Sequence, residues 1–568
     1  MPNEFVLGRF SRMAASVALA LSLAPSSFSA GNPGGGAAGD CPLTVGPDLI
    51  VGGLTGPQNF TGAEGLEAFA VGFHLCNVGD SPLRFYANDN RHPVVGSNFF
   101  RFSTVDGATR FEQLGQSWLF HGFFPLQDDY CCVCIPFDPE FLGVGCSDPT
   151  TAARAGTQGG MGPKWQINAT TGIFLYPPAN PPYSGPTARR LQVRIADLQP
   201  SSESVRYYAS TATISSQEIA AGNNDNNESH RQMTVTGSGS AWTFGFTGTT
   251  QPMQPAIHAW RELEPNVEMQ IIDVQGDGRF IIGSAVTQLA TDRWHYEYAL
   301  YNLNSDRSAR SFSMPVADGI TLTNVGFHDV DYHSGDGPNN QNCDGADWEF
   351  ERTAGAVTWT TRSFDENPAA NALRWATLYN FRFDACAPPE PAVATLGLFK
   401  PGSPDSVSVM IPAPGLEAPV ILASPVPASI CAGTDRSLTV LSAGACLSYQ
   451  WRKDGQVIPG ATEPSLVISS ADYIDRGSYD VAVSNAAGST TSAAAQLLVT
   501  VRGDANADGN VNNFDIDAFV FGIVEGETAY ESAFANDFAC ALDVNRDGVV
   551  NNFEIEPFVE CVQLSGCD

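Results

Sequence analysis

The strongest constraint on the fold lies at the C-terminal end, where the chain repeats itself. Residues 503–523 read GDANADGNVNNFDIDAFVFGI and residues 542–562 read LDVNRDGVVNNFEIEPFVECV. Setting Asp504 against Asp543 aligns the copies at an offset of 39 residues. Each opens with an acidic, Asn-rich loop and continues as an amphipathic segment with Phe at matched places: Phe514 and Phe519, then Phe553 and Phe558. In the first loop Asp504, Asn506 and Asp508 hold positions one, three and five, with Gly509 at six, Asn510 at seven, Asn512 at nine and Asp515 at twelve. The second places Asp543, Asn545, Asp547, Gly548, Val549, Asn551 and Glu554 in the same register. Alternate oxygen ligands can wrap a hard cation, and the sixth-position Gly permits the sharp turn. The seventh residue offers its carbonyl, and the twelfth carboxylate arrives from the first helical turn. The spacing predicts a duplicated loop-helix unit holding two Ca2+ ions, and no other cofactor is indicated.

This pair resembles the type I dockerin module over about 502–568, and the ligand positions carry over to the residues just named. The resemblance implies docking onto a cohesin-like or cell-envelope protein. In that family two residues after the ninth position choose the partner; here they are Asn513-Phe514 and Asn552-Phe553, identical in both copies. If the copies fold alike, the module has near two-fold symmetry and offers a partner two orientations. The 39-residue offset is longer than the compact repeat of the family. A disulfide from Cys540 to Cys561 or Cys567 is expected to lock the second loop.

Upstream, residues 419–501 alternate apolar and polar residues in SLTVL, SLVIS and YDVAVS, with a turn at Asp454-Gly455. Tyr449-Gln450-Trp451 and the later Asp475-Arg476-Gly477-Ser478-Tyr479 resemble an immunoglobulin-like domain. The resemblance implies that Trp451 is the core tryptophan and Tyr479 the tyrosine-corner residue. The usual inter-sheet cysteine is missing on one side, where Val481 stands, and Cys431 with Cys446 is read as a local bridge. Residues 412–418, around Pro412 and Pro414, are read as a stiff linker.

The region 41–411 is strand-like throughout, in RLQVRIADL, HYEYALYNL, AVTWTTRSF and LYNFRFDAC, and one or two β-sandwich domains are expected there. A proline cluster at 176–186 is a possible subdivision. The fold class expected for the whole is therefore mainly β: a large N-terminal β-sandwich region, an immunoglobulin-like sandwich and a small α-helical calcium module.

At the start, Arg9 and Arg12 precede an apolar run from Met13 to Ala24, then Ser27, Ser29 and Ala30, so residues 1–30 read as a secretory signal. The run is too short to cross about 30 Å of hydrocarbon, and no transmembrane span is expected. Thirteen cysteines suit an oxidising destination, secreted or at the cell surface. Cys131, Cys132, Cys134 and Cys146 lack the paired C-x2-C spacing of a zinc site and are read as disulfides. Acids outnumber bases 61 to 29, and lysine occurs only at Lys164, Lys400 and Lys453, which excludes nucleic acid as a partner.

Candidate chemistry in the N-terminal region is sparse. FHDVDYHSGDG holds His328, Asp329, Asp331, His333 and Asp336; on a strand, Asp329, Asp331 and His333 would share a face and could bind a metal, the alternative being a solvated strand end. VQGDGRF reads as a hairpin turn at Asp277-Gly278 rather than a calcium site. In WHYEY, Trp294, Tyr296 and Tyr298 form a stripe that could stack on sugars but suits core packing better, with His295 and Glu297 opposite. No nucleophile elbow, H-E-x-x-H, P-loop or dinucleotide fingerprint is present, and catalytic residues are unassigned. The longer phrases resemble uncharacterised regions of modular exported bacterial proteins. The reading favours a secreted or cell-surface structural, adhesive scaffold that is not an enzyme. The alternative is a carbohydrate-active enzyme, hydrolase or lyase, or a polysaccharide-binding protein carrying the same module.

Overall fold

The computed structural model describes residues 41–567 apart from 42, 122–124, 158–161, 179–184, 200–203 and 240. The export segment read at 1–30 lies outside the described residues. The chain is mainly β with a small helical C-terminal part.

Four sheets stack face to face between Leu49 and Pro414. The outermost pairs Leu49–Ala63 with Leu66–Asn77, which also carries Leu191–Arg194 and Ser147–Thr150. The second runs in the order Ala241–Phe246, Glu228–Ser238, Arg206–Ile214, Val94–Val105, Ala108–Gln116. Phe69, Val71, Phe99, Leu114, Tyr207 and Phe244 pack between these two. The third sheet contains Glu268–Asp273, Arg279–Ala290, Arg293–Asn302, Thr377–Ala385 and Leu322–His328; the fourth contains Glu349–Thr353, Ala356–Thr360, Ala309–Pro315, Pro389–Leu398 and Ser406–Pro414. Tyr296, Tyr298, Phe312, Trp359, Phe381 and Phe383 fill the space between them.

The second and third sheets also pack on each other, through Phe100, Phe111, Tyr208, Ile281, Tyr301 and Trp375. Their central strands are thus buried on two faces, and every residue from His295 to Asn302 is buried. The aromatic stripe of WHYEY is core, with the Tyr296 and Tyr298 hydroxyls donating to the carbonyls of Ala387 and Pro412 at 2.9 and 2.8 Å. Its opposite face enters a polar seam between the sandwiches. There Arg110 Nε donates to Glu297 Oε2 at 2.9 Å, Arg101 Nη2 to Glu112 Oε2 at 2.8 Å, and Asn380 Nδ2 to the Phe111 carbonyl at 2.9 Å. His295 Nδ1 lies 2.7 Å from Asp384 Oδ1, and its Nε2 lies 3.3 Å from Glu297 Oε2.

Strands on both sides of the 176–186 proline cluster share the first two sheets, so no division of the sandwich falls there. The change of sandwich comes at the short helix His258–Leu263. Pro412 and Pro414 complete a strand opposite Pro391 and Pro389, which leaves only 415–418 between that strand and the next module. The 273–279 segment is a hairpin turn as read, but the positive φ falls on Gly276 and not on Asp277-Gly278.

In the immunoglobulin-like part, Ala428–Cys431 pairs in parallel with Ala495–Thr500, which continues through Gly477–Asn485 to Ser448–Lys453. Trp451 is fully buried. Tyr479 forms the corner, its hydroxyl donating to the Asp475 carbonyl at 2.7 Å. Asp454 and Gly455 both take positive φ, as the two-residue turn requires.

Six disulfides join Cys41–Cys132, Cys76–Cys131, Cys134–Cys146, Cys386–Cys446, Cys431–Cys540 and Cys561–Cys567. The N-terminal cysteines are disulfides, as expected. The local Cys431–Cys446 bridge is not formed: Cys446 pairs with Cys386, just past the third-sheet strand Thr377–Ala385, and Cys431 with Cys540 of the helical module. Cys540 is likewise engaged away from Cys561 and Cys567, which pair with each other. Cys343 is the remaining thiol.

The polar seam yields two expectations. Glu297→Ala removes the nearer of the two carboxylates that face buried Arg110, leaving Glu112 Oε1 at 3.6 Å, and should destabilise the chain by up to about 3–5 kcal/mol in denaturant titration. Burial opposes charging of His295, but Glu297 and Asp384 outweigh it and hold its pKa above the ordinary 6.5. Its stabilisation is therefore complete below about pH 6.5 and is lost as pH rises through the folded-state value. The stability gap between wild type and His295→Gln should shrink over that window, and a gap that widens with pH would refute the assignment.

Candidate metal centres and docking face

The C-terminal part begins where strand Ala495–Thr500 ends, and the two acidic loops fold almost identically. In the first, Asp504 Oδ1 accepts the Asp508 N–H at 3.0 Å and Oδ2 that of Gly509 at 2.9 Å. In the second, Asp543 Oδ1 accepts from Asp547 at 3.1 Å and Oδ2 from Gly548 at 3.0 Å. Asp508 Oδ1 and Asp547 Oδ1 accept the seventh-position N–H groups of Asn510 and Val549, each at 2.9 Å. Asn506 and Asn545 point their Oδ1 atoms at the same turns, at 2.9 and 2.8 Å. Gly509 and Gly548 sit at φ +86° and +84°, where a side chain is strained. Asn512 and Asn551 cap the following turns by accepting from Phe514 and Phe553.

Position twelve separates the loops. Asp515 spends one oxygen on the Asn506 N–H and the other on that of Asn512, both at 2.9 Å. Glu554 is one methylene longer; its Oε2 alone takes the Val544 and Asn545 N–H groups, at 2.7 and 2.8 Å. Its Oε1 is buried and has no hydrogen-bond partner among the described residues. Asp543, Asp547 and Glu554 bring carboxylate oxygens within 4.8 Å of one another, the only such acidic or His/Cys trio among the described residues. An all-oxygen trio with an unsatisfied buried oxygen fits a hard divalent cation. In the first loop burial pushes Asp504 up to about 6 and also raises Asp515, which are the costs a bound cation would remove.

The helices Ile516–Glu525 and Ile555–Leu564 follow the loops, and Glu527–Phe534 and Phe538–Leu542 occupy the extra length between the copies. Phe519 and Phe558 stack at 3.8 Å between centroids and 8° between planes, so the equivalent residues meet each other on the pseudo-two-fold axis. Their partners in the sequence pattern point outward: Phe514 is 73% exposed and Phe553 74%. Ile516, Val520 and Val524 extend the exposed apolar face on one helix, and Ile555, Val559 and Leu564 on the other.

The residues that support the first loop come from elsewhere and carry no local sequence signal. The Tyr473 hydroxyl, from the immunoglobulin-like part, donates to the Ala507 carbonyl at 2.8 Å, and its ring lies over Gly509. Asn536 Nδ2 donates to the Asp504 carbonyl at 2.7 Å, while its Oδ1 accepts from Thr500 at 2.7 Å.

The candidate metal group in FHDVDYHSGDG does not assemble. The strand ends at His328, and the residues beyond it disperse to separate partners. His328 Nε2 meets the Gln113 carbonyl at 3.1 Å and His333 Nε2 that of Gln116 at 2.7 Å. Asp329 pairs with Asn371, Asp331 with Arg194, and Asp336 with the Trp118 indole. His328, Asp331, His333 and Asp336 fasten one sandwich to the other, while Asp329 is held within its own, a role between the metal site and the solvated strand end expected from sequence.

No family model matches the chain. Among solved structures, similar chains include a chimeric titin Z1Z2 functionalized with an exogenous decorin peptide, at 26% identity over 15% of this chain and 98% of that one, TM-score 0.14. The titin M3 domain is similar at 27% identity over 14% and 96%, TM-score 0.13. The tandem Ig repeats of Dlar are similar at 16% identity over 34% and 91%, TM-score 0.15. The immunoglobulin-like character of 419–501 rests on the chain's own Trp451, Tyr479 and strand order.

Alanine at either loop glycine should cost about 1–2 kcal/mol for left-handed backbone. Gly509→Ala should cost more, because its Cβ would stand 2.5 Å from Tyr473 ring carbons, whereas the space at Gly548 is open. Denaturant midpoints of the two full-length variants test this, and equal losses would remove Tyr473 as a buttress.

Proposed function

We propose that the chain is an extracellular structural scaffold whose C-terminal part is a dockerin-like module, loaded with two Ca2+ ions, that seats a cohesin-like or cell-envelope protein. The observation that carries this reading is the exposed apolar face built symmetrically on the two loop-helix units. Phe514 and Phe553 lie too far out of the core to stabilise the fold, yet each is held at the first turn of a helix by the capped loop before it. Large exposed aromatics on a rigid, two-fold frame are suited to a protein interface. In this reading Asp504, Asn506, Asp508, Asn510, Asn512 and Asp515 hold one ion; Asp543, Asn545, Asp547, Val549, Asn551 and Glu554 hold the other. The ions supply positive charge to loops rich in carboxylate. The six disulfides suit an oxidising compartment, and among the described residues no helix is long and apolar enough to cross a membrane.

Calorimetric titration of the chelator-treated full chain with Ca2+ should register two equivalents. Each site should add about 2.7 kcal/mol of stability at a free Ca2+ concentration 100 times its Kd. Absence of uptake would end the metal reading. Surface binding to a panel of purified cohesin-type domains tests the partner. Phe514→Ala or Phe553→Ala alone should leave one orientation and weaken binding about twofold, and the double variant should weaken it by about a hundredfold or more. Single losses as large as the double would exclude the two-orientation mode, and no binding across the panel would exclude the cohesin-type partner.

A further inference from the structure

One of the three lysines in this acidic chain, Lys164, is only 5% exposed and ends inside the seam between the two sandwiches. Its Nζ lies 2.6 Å from Asn98 Oδ1 and 3.0 Å from the Ala376 carbonyl. Asn98 projects from the central strand Val94–Val105 and is fixed on both sides. Gln113 Nε2 donates to the same Oδ1 at 3.1 Å, and Asn98 Nδ2 lies 3.5 Å from the hydroxyl of Ser210, its partner on the neighbouring strand. Glu228 is wholly buried nearby, a neighbour of both Ser210 and Lys164. One of its oxygens accepts the Tyr301 hydroxyl, and the Ser210 hydroxyl and the Ala256 backbone also face the carboxyl. On the other side of the amine, Lys164 and Asp336 line a cavity of about 10 Å³, room for one water-sized molecule.

We infer that Lys164 and Asn98 join in an intramolecular isopeptide bond, formed by the folded chain itself with Glu228 as the proton-transfer group. The Nζ lone pair attacks Asn98 Cγ, and the Gln113 amide donates to the oxygen as negative charge develops there. The Cγ–Nδ2 bond then breaks and Nδ2 departs as ammonia. One C–N bond forms and one breaks. The proton lost by the amine reaches the leaving nitrogen by way of the Glu228 carboxyl, so neither oxidant nor cofactor is consumed. Both reactants are held on packed elements, which converts an otherwise slow amide exchange into a positioned one. Burial brings the amine down to about 7 and the Glu228 carboxyl up to about 6, so that a neutral nucleophile and a proton donor coexist near neutrality. The bond would close a loop of 66 residues and tie Lys164, which lies in the stretch between Cys146 and Cys386 that no disulfide reaches among the described residues, to the strand Val94–Val105.

Intact mass spectrometry of the full chain, with its disulfides reduced, tests this directly. The expected mass is about 17 Da below that of the same linear polypeptide, the ammonia lost on forming the new amide. Proteolysis should release a branched peptide joining the segments that contain Asn98 and Lys164. Lys164→Arg and Asn98→Ala should restore the full mass, and Glu228→Gln should leave much of the chain unlinked while the lysine and asparagine remain. Full mass in the wild type, with linear peptides bearing unmodified Lys164 and Asn98, would overturn the proposal. So would an Asn98 hydrolysed to Asp beside a free Lys164, or a deficit that persists in Lys164→Arg.

Discussion

The contact between the second and third sheets governs the rest of the structure. A sheet with one face in a core and one in water needs only an alternating sequence, whereas a sheet buried on both faces must also satisfy every polar group on its second face. Here that face is divided. One part is apolar, with Trp260, Tyr301 and Trp375 against Phe100, Phe111 and Tyr208. The other carries Arg110, Glu112, His295, Glu297, Asn380 and Asp384, joined across the boundary by Arg110 to Glu297 and by Asn380 to the Phe111 carbonyl and otherwise paired within each sheet. Buried ion pairs return little net stability, but a mispaired register would strand a charge. The polar half therefore sets which strand lies over which, and the apolar half provides the cohesion.

The same requirement explains the segment after His328. The chain leaves the third sheet from its half-exposed edge strand Leu322–His328 and runs along the seam, with Asp331 and Ser334 in solvent and His333 and Asp336 buried. His328, Asp329, Asp331, His333 and Asp336 each find a separate acceptor or donor along that path. Residue types that suggest a metal site in sequence are here consumed by satisfying the seam. Lys164 differs because its partner is a carboxamide with a leaving group, so the satisfied contact is also a reactive one.

Legibility in the sequence follows this division. The two acidic loops are local, twelve residues whose side chains answer their own backbone, and their loop-helix fold was readable from spacing alone. Trp451 and Tyr479 were readable because an immunoglobulin-like sheet places them by short-range pattern. Period-two alternation announced strands correctly but could not tell a solvated face from a buried polar one: His295 and Glu297 look like surface residues in WHYEY and are core. The proline cluster at 176–186 read as either a boundary or a long surface loop, because proline marks irregular backbone whether or not the strands around it share a sheet. Disulfide partners were unreadable for Cys431, Cys446 and Cys540, since pairing depends on how the modules abut and not on proximity in sequence.

How the modules abut also bears on the docking reading. Cys431–Cys540 ties the immunoglobulin-like part to the helical part, and Tyr473, Arg476 and Thr500 reach the Ala507 carbonyl, the Ala535 carbonyl and Asn536 respectively. A loop-helix module suspended on a flexible linker would let a partner rotate freely. This one is braced on the side of its first loop, while the exposed faces of both helices remain open. The acidic charge gathers there as well: residues 502–568 hold 14 acids against Arg502 and Arg546. Much of that charge already faces loop N–H groups, and the oxygen left without a donor, Glu554 Oε1, belongs to the loop farther from the brace. The first loop is thus shaped largely by protein contacts; under the proposed calcium reading the second would depend more on an ion, and removal of Ca2+ should then disturb the exposed face around Phe553 before that around Phe514.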